Sequence, residues 1–465
     1  MQSKIKNTID LILAIFLVSS LIFLSGCSKE KVSEYKVNLE IWGIFDDSSS
    51  TYTDIIKNYK DINPFIGEIK YRKFTADSYK KDLLDAMASG QGPDICLIHN
   101  TWLPYFKDKI TPSPEYILGE KEFRDNFVDV AANDFLGEGK VYAVPLSVDS
   151  LALYYNKDLF NFEGIVSPPV TWEEFNNDVK KLTRVGEFGN IIQSGAALGT
   201  AYNINRSTDI LGLLMFQNGA SIVNEDRNQV NFGKESENAL EFYTQFARLG
   251  SDVYTWNKKA HYSIDAFYEG TAAMMLNYSW HYQTVKSKNA KLNFGVAPVP
   301  QVSRENPANY ANYWGLAVVK NKIQETENGR GGGAELAAVN NKMRVHEAWQ
   351  FLKFLTAKNN GSFTVTHAVS GKTKKFPVSF DPAKNYLEKT GRPAARRDII
   401  EEQKSDPILG PFAYGNLIAK SWHQPDPKAA ETILAEAIDS VNQGNSSVSQ
   451  ALKTAESRIN QFFRE

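Results

Sequence analysis

Near the amino terminus the apolar residues switch back and forth between two periods, and that alternation restricts the available folds more than any other feature. Val37, Leu39 and Ile41 alternate with Asn38 and Glu40, the period of a strand. Ser and Thr residues from Ser48 to Thr51 can cap a helix that runs towards Ile62 and is stopped by Asn63-Pro64. Ile69 to Phe74 alternates again. Tyr79, Leu83 and Met87 then recur at helical spacing before Gly90, and Ile95 to Ile98 supplies a third strand. Strand, helix, strand, helix, strand in that order predicts a parallel, doubly wound sheet. Ligands of such sheets bind beyond the carboxyl ends of the strands. Phe45, Asp46, His99, Asn100 and Trp102 fall at or just after those ends and are expected to share one rim.

The stretch Val141 to Phe160, VYAVPLSVDSLALYYNKDLF, divides the chain into two halves. Pro145 interrupts an apolar run that resumes at Leu151, which predicts an edge strand or a crossing between lobes. Asp149 lies between the two runs, where an acid is costly to bury without a partner. It reads either as a hydrogen-bonded turn carboxylate or as a ligand contact at the mouth of a cleft.

Beyond the crossing, Thr171 caps a helix reaching about Leu182, and Ser194 to Leu198 reads as a strand. Helices follow around Ile210 to Phe216 and from Glu235 to Leu249. Thr271 to Leu276 is a strand that ends in Asn277-Tyr278-Ser279-Trp280, again polar and aromatic residues at a strand's carboxyl end. Phe294 to Pro300 is a further strand, and Tyr313 to Val319 is the return crossing. Asn321 to Met343, with Gly331-Gly332-Gly333, predicts a polar surface loop, and His346 to Leu355 and the tail from Pro382 predict helices.

At 465 residues and 42% apolar content the chain can build two cores. A formal charge of -2 offers no bulk attraction to nucleic acid or to an anionic membrane. Lys4 and Lys6 precede the apolar run Leu11 to Phe23, and Leu24-Ser25-Gly26-Cys27 resembles the lipobox of bacterial lipoproteins. Residues 1–26 are therefore expected to be a signal peptide and 27–35 a lipidated terminus and tether, with Cys27 carrying lipid at the extracellular or periplasmic face of a membrane. Cys96 then stands alone, without a disulfide partner. The six His residues form no metal-binding pair, and no phosphate-cradling glycine loop occurs, so neither metal nor cofactor is expected.

Several segments resemble one family. Ala88-Ser89-Gly90-Gln91-Gly92-Pro93-Asp94, Tyr142-Ala143-Val144-Pro145, Leu153-Tyr154-Tyr155-Asn156-Lys157-Asp158-Leu159-Phe160, Thr171-Trp172-Glu173-Glu174-Phe175, Ala266-Phe267-Tyr268-Glu269-Gly270-Thr271-Ala272-Ala273-Met274 and Ala348-Trp349-Gln350-Phe351-Leu352 follow each other as in the extracellular solute-binding proteins of the maltose-binding type. The resemblance implies an α/β, periplasmic-binding-protein-like fold: two doubly wound lobes joined by hinge strands, with a cleft between them. Lobe 1 would hold 36–147 and 310–378, lobe 2 148–309 and 379–465, with hinges near Ser147 to Ser150 and Asn309 to Trp314. It implies a monomer that captures a sugar or oligosaccharide and hands it to the permease subunits of an ABC importer. By position it assigns ligand contacts to Asp46, Asn100, Trp102, Asp149 and Trp280, and also to Tyr202, Asn203 and Trp422. The first loop lacks a lysine beside Asp46, and His99-Asn100 replaces an acid-arginine pair, which argues against maltose itself. A carbohydrate hydrolase using Asp46 with Asp149, and a binder of polyamines, peptides or metals, stay open as alternatives.

Overall fold

The computed structural model describes residues 36–46, 50–320, 322, 334–358 and 361–463. The signal segment, Cys27 and the tether lie outside these residues, as do Asp47, Ser48 and most of the loop expected after Asn321.

The alternating amino-terminal segments fold as β1 (Val37–Gly43), α1 (Thr53–Ile62), β2 (Ile66–Lys73), α2 (Ala76–Ala88) and β3 (Ile95–His99). Val37, Leu39 and Ile41 are buried while Asn38 is exposed, as the period-two pattern requires. β1 pairs in parallel with β2 on one side and β3 on the other, so all three strands release their ends at one rim. The expected Ser/Thr cap of α1 does not form. Tyr52 is the capping residue without a side-chain bond, because its ring turns inward towards Asp46.

β4 (Ala143–Val144) sits at an edge, pairing only with the strand that returns near residue 314, and Pro145 follows it where no ladder bond is needed. Val148 still belongs to the first hydrophobic core and Leu151 to the second, so the chain changes lobe at Asp149 and Ser150. In the second lobe β5 (Ala152–Asn156) precedes α3 (Trp172–Leu182), which opens on a capping box between Thr171 and Glu174. α4 (Ser207–Gln217) is buried along its whole length. β6 (Met274–Asn277) and β7 (Phe294–Pro298) flank β5 in an antiparallel sheet. Ser194 to Leu198 joins this sheet through isolated parallel bridges at Ser194 and Ala197 and not as the full strand expected. The Thr255 hydroxyl takes the Gly195 N–H at 2.7 Å, which diverts a ladder bond. The helix expected to reach Leu249 stops at Thr244, because the Phe246 carbonyl accepts from Thr255 and Trp256.

The return crossing comprises β8 (Asn309–Tyr310) and β9 (Trp314–Val319), and β9 lies antiparallel to β3 with Trp314 opposite His99. α5 (Ala334–Thr356) claims the last part of the segment expected to be a loop. α6 (Pro382–Thr390) packs in the first core through Tyr386 and Leu387, and Ile399 and Ile400 follow it there. That stretch was expected in lobe 2; its apolar side chains instead cover α5 of lobe 1. α7 (Gly410–Leu417) and β10 (Ala419–Lys420) then form a third crossing, with β10 parallel to β8. α8 (Pro427–Asn442) and α9 (Val448–Phe462) finish the second core.

The three crossings touch. Ser150 bridges Ala311, Asn309 donates to the Leu151 carbonyl at 2.8 Å, and the Ser150 hydroxyl donates to the Phe412 carbonyl at 3.3 Å. A Cβ on Gly415 would fall on both Ser150 Oγ and Asn309 Nδ2. Gly415→Ala is therefore expected to lower the unfolding free energy by about 1–3 kcal/mol through overpacking. Urea denaturation checks this, and a change below about 0.5 kcal/mol would show that the junction has slack.

Candidate ligand-binding cleft

Strand ends of both lobes meet at the crossings. Asp46, just past β1, is buried and fully engaged: Tyr52 Oη donates to Oδ2 at 2.9 Å, Tyr386 Oη donates to Oδ1 at 3.1 Å, and Arg392 Nη1 lies 3.4 Å from Oδ1. Arg392 also stands over the Phe45 ring at 5.0 Å. At the end of β3, Thr101 donates from Oγ1 to His99 Nδ1 at 2.9 Å, which leaves the imidazole proton on Nε2, 3.3 Å from Asn312 Oδ1. Desolvation pushes His99 down to about 4, so the ring is neutral. Trp314 stands edge-on to Phe45, His99 and Trp102, with ring centres 5.6, 5.2 and 5.0 Å away.

The opposing wall comes from lobe 2. Ser279 donates to Asp149 Oδ2 from its N–H at 3.1 Å and its hydroxyl at 2.5 Å, and the Ser150 N–H donates to Oδ1 at 2.9 Å. Asp149 thereby clips the crossing to the loop after β6. Trp280 in that loop is 45% exposed and stacks on the buried Tyr278 ring at 4.5 Å, so one indole face is supported and the other is free. Tyr278 Oη donates to Asp209 Oδ2 at 2.7 Å, and Asn312 Nδ2 donates to the same oxygen at 3.4 Å. A continuous hydrogen-bond chain thus runs from His99 in lobe 1 through Asn312 in the return crossing to Asp209 in lobe 2.

Two adjoining chambers open between these walls. One of about 480 Å³ is lined by Phe45, Asp46, Asp149, Trp280, Trp314 and Arg392, and one of about 860 Å³ by Lys80, Trp102, Asp209, Gln424 and Glu431. His99, Arg206, Asn312 and Trp314 border both.

Of the residues expected at the ligand, Asp46, Asp149 and Trp280 line the smaller chamber and Trp102 the larger. Asn100, Asn203 and Trp422 line neither. Asn100 follows His99 directly, and neighbours at a strand end face opposite ways. Its Nδ2 donates to Asp134 Oδ2 at 3.0 Å, an oxygen that Tyr313 Oη also reaches at 2.7 Å, while the Ser421 hydroxyl binds Oδ1. Asn203 ties its own loop, accepting from Trp256 Nε1 at 3.0 Å and donating to the Asn257 and Ala260 carbonyls. Trp422 is buried in the second core. Tyr202 is exposed and borders neither chamber.

Sequence reasoning did not reach Arg206, Asp209, Tyr386 or Arg392. The latter two enter only because α6 folds back onto lobe 1. Trp314 enters through the register that sets it opposite His99, a pairing that local pattern does not record. Among the described residues no group of three or more His, Cys, Asp or Glu could hold a metal ion, and no helix is long and apolar enough to cross a membrane.

Residues 46–361 match the family model of the bacterial extracellular solute-binding proteins. The chain belongs to that family. A binding protein of Brucella abortus is 23% identical over 366 residues, 77% of this chain and 80% of that one. The multiple sugar-binding protein of Streptococcus mutans is 26% identical over 292 residues, 60% of this chain and 66% of that one. Among solved structures, a cyclo/maltodextrin-binding protein complexed with maltotetraose superposes with a TM-score of 0.68 at 17% identity, covering 91% of this chain and 96% of that one. The two-lobed α/β architecture is therefore the family's.

In this solute-binding protein Asp149 is buried at the cleft and Asp134 is half-buried. Desolvation pushes Asp149 up to about 7 and Asp134 up to about 6, despite the hydrogen bonds each accepts. An unfolded aspartate titrates near about 3.9. Between that value and about 7 the folded protein keeps a proton on Asp149 that the unfolded chain has lost. Its contribution to stability is thus fully present below the unfolded value and is lost as pH rises through the folded one. Asp149→Asn is expected to shrink the difference in unfolding free energy between about pH 5 and about pH 8, by on the order of 2 kcal/mol. Urea denaturation at the two pH values measures it, and an unchanged difference would mean that Asp149 ionises freely.

Proposed function

We propose that the protein captures a neutral sugar or short oligosaccharide between its lobes and delivers it to the permease of an ABC importer. The observation that carries this reading is the pair of indoles offered from opposite lobes, Trp280 and Trp314, around a chamber whose arginines are each met by a carboxylate, Arg392 by Asp46 and Arg206 by Asp209. Pyranose rings present apolar faces that stack on aromatic rings and hydroxyls that need donors and acceptors at fixed places. Paired charges leave no net field for a polyamine or a charged peptide. The Streptococcus relative is named for multiple sugars, and the superposed structure held maltotetraose.

Asp46, Trp102, Asp149 and Trp280 are the proposed contacts. Hydrolysis is not expected, since a glycosidase needs two carboxyl groups free to exchange protons with substrate, whereas Asp46 and Asp149 already hold structural partners. The Leu24-Ser25-Gly26-Cys27 sequence supports a lipid on Cys27 that tethers a monomer to the outer face of the membrane. A ligand that touches both lobes favours the closed state by its differential affinity for it, which gives an importer its signal.

Calorimetric titration with maltotriose, maltotetraose and mannobiose, with chromatography of the recovered sugar, tests the reading. Stoichiometric binding and intact sugar are expected, and turnover would replace the binder with an enzyme. Trp280→Ala is expected to weaken the best ligand by about 1–3 kcal/mol through the lost stacking area. Equal affinity would remove Trp280 from the site.

A further inference from the structure

Resting on the sugar-binding reading, we infer that Arg206 is the specificity-determining residue of the cleft: its open guanidinium edge donates to acceptor oxygens at the joint between two sugar units, one in each chamber.

Arg206 carries costs that the fold does not require. Its backbone lies in the left-handed region, φ 60° and ψ 32°, at the position that starts α4. Glu138 and Arg227 share that region but lie in exposed turns, whereas Arg206 faces the interlobe cleft. A glycine or asparagine adopts this conformation with less strain. A cation at a helix amino end also opposes the helix dipole. Strain of this kind collects where function holds it in place.

The surroundings hold the guanidinium rigidly without using it up. Asp209 Oδ2 accepts from Nε at 2.8 Å and Nη2 at 2.7 Å, and Tyr278 lies with its ring centre 5.7 Å from the guanidinium carbon. Asp209 is in turn fixed by Tyr278 Oη and Asn312 Nδ2. Among the described residues Nη1 makes no hydrogen bond, while the side chain keeps 27% of its exposure and borders both chambers. His99 and His281 are both pushed down to about 4, so the nearby imidazoles are neutral.

Because Asp209 already balances the charge, the open edge suits hydroxyl and ring oxygens and needs no carboxylate. Its place on the border between chambers makes it sensitive to how two units are joined. A ligand that turns its oxygens away leaves a desolvated donor unpaired, which is the strongest form of discrimination a neutral site has.

The test uses the full mature chain and four neutral probes of different linkage: maltotriose, isomaltotriose, cellotriose and mannobiose, titrated by calorimetry. Arg206→Lys keeps the ion pair with Asp209 but loses the planar fork. It is expected to weaken the preferred probe by roughly ten- to a hundredfold and to flatten the ranking among linkages. Arg206→Gly combined with Asp209→Asn removes strain and charge together. It is expected to lose the same affinity in protein that still unfolds in one cooperative transition, which separates recognition from folding. Arg206→Lys with wild-type affinities and an unchanged ranking would overturn the inference while leaving the sugar reading intact. Wild-type protein that binds none of the probes would overturn both.

Discussion

The structure depends on desolvated carboxylates that are satisfied by the chain itself. Asp46, Asp134, Asp149 and Asp209 lie where lobes or loops converge, and each accepts from two or more donors on segments far apart in sequence. An unpaired buried charge is expensive, so each acid fixes the segments that pair with it. Asp149 binds a crossing to the Trp280 loop, Asp46 binds α6 to the end of β1, and Asp134 binds β3, the return crossing and Ser421. The cleft is thereby built before any ligand arrives.

The two walls meet at a narrow junction. Each lobe has its own core, and Asp149, Asn312 and Ser421 lie in the segments that pass between them. Gly415 lets α7 approach both other crossings with no intervening side chain. The chain of hydrogen bonds from His99 through Asn312 to Asp209 spans the divide with neutral donors and acceptors where it leaves lobe 1. It can break and re-form without moving charge into an apolar phase.

Much of the candidate site was legible in local pattern. Asp46, Trp102 and Trp280 each follow an apolar run recognisable as a strand, so the rule that open sheets bind at their carboxyl ends points them to the cleft, while Asp149 stands out as an acid between the two apolar runs of a crossing. The same rule failed for Asn100, because at a strand end one neighbour faces the cleft and the next faces the protein. Asn203 and Trp422 were assigned by resemblance alone and line neither chamber, because family position carries no information about which way a side chain turns within a loop.

By its spacing of apolar residues the sequence determined the five amino-terminal elements and the crossing that follows Pro145, since periodicity is a property of neighbours along the chain. Only the tertiary structure decided that 382–400 belongs to the first lobe, that a third crossing runs through α7, and that Arg206, Arg392 and Tyr386 reach the cleft. Those outcomes come from complementary surfaces and paired charges brought together across hundreds of residues, and no local pattern records which distant partner will satisfy a buried group.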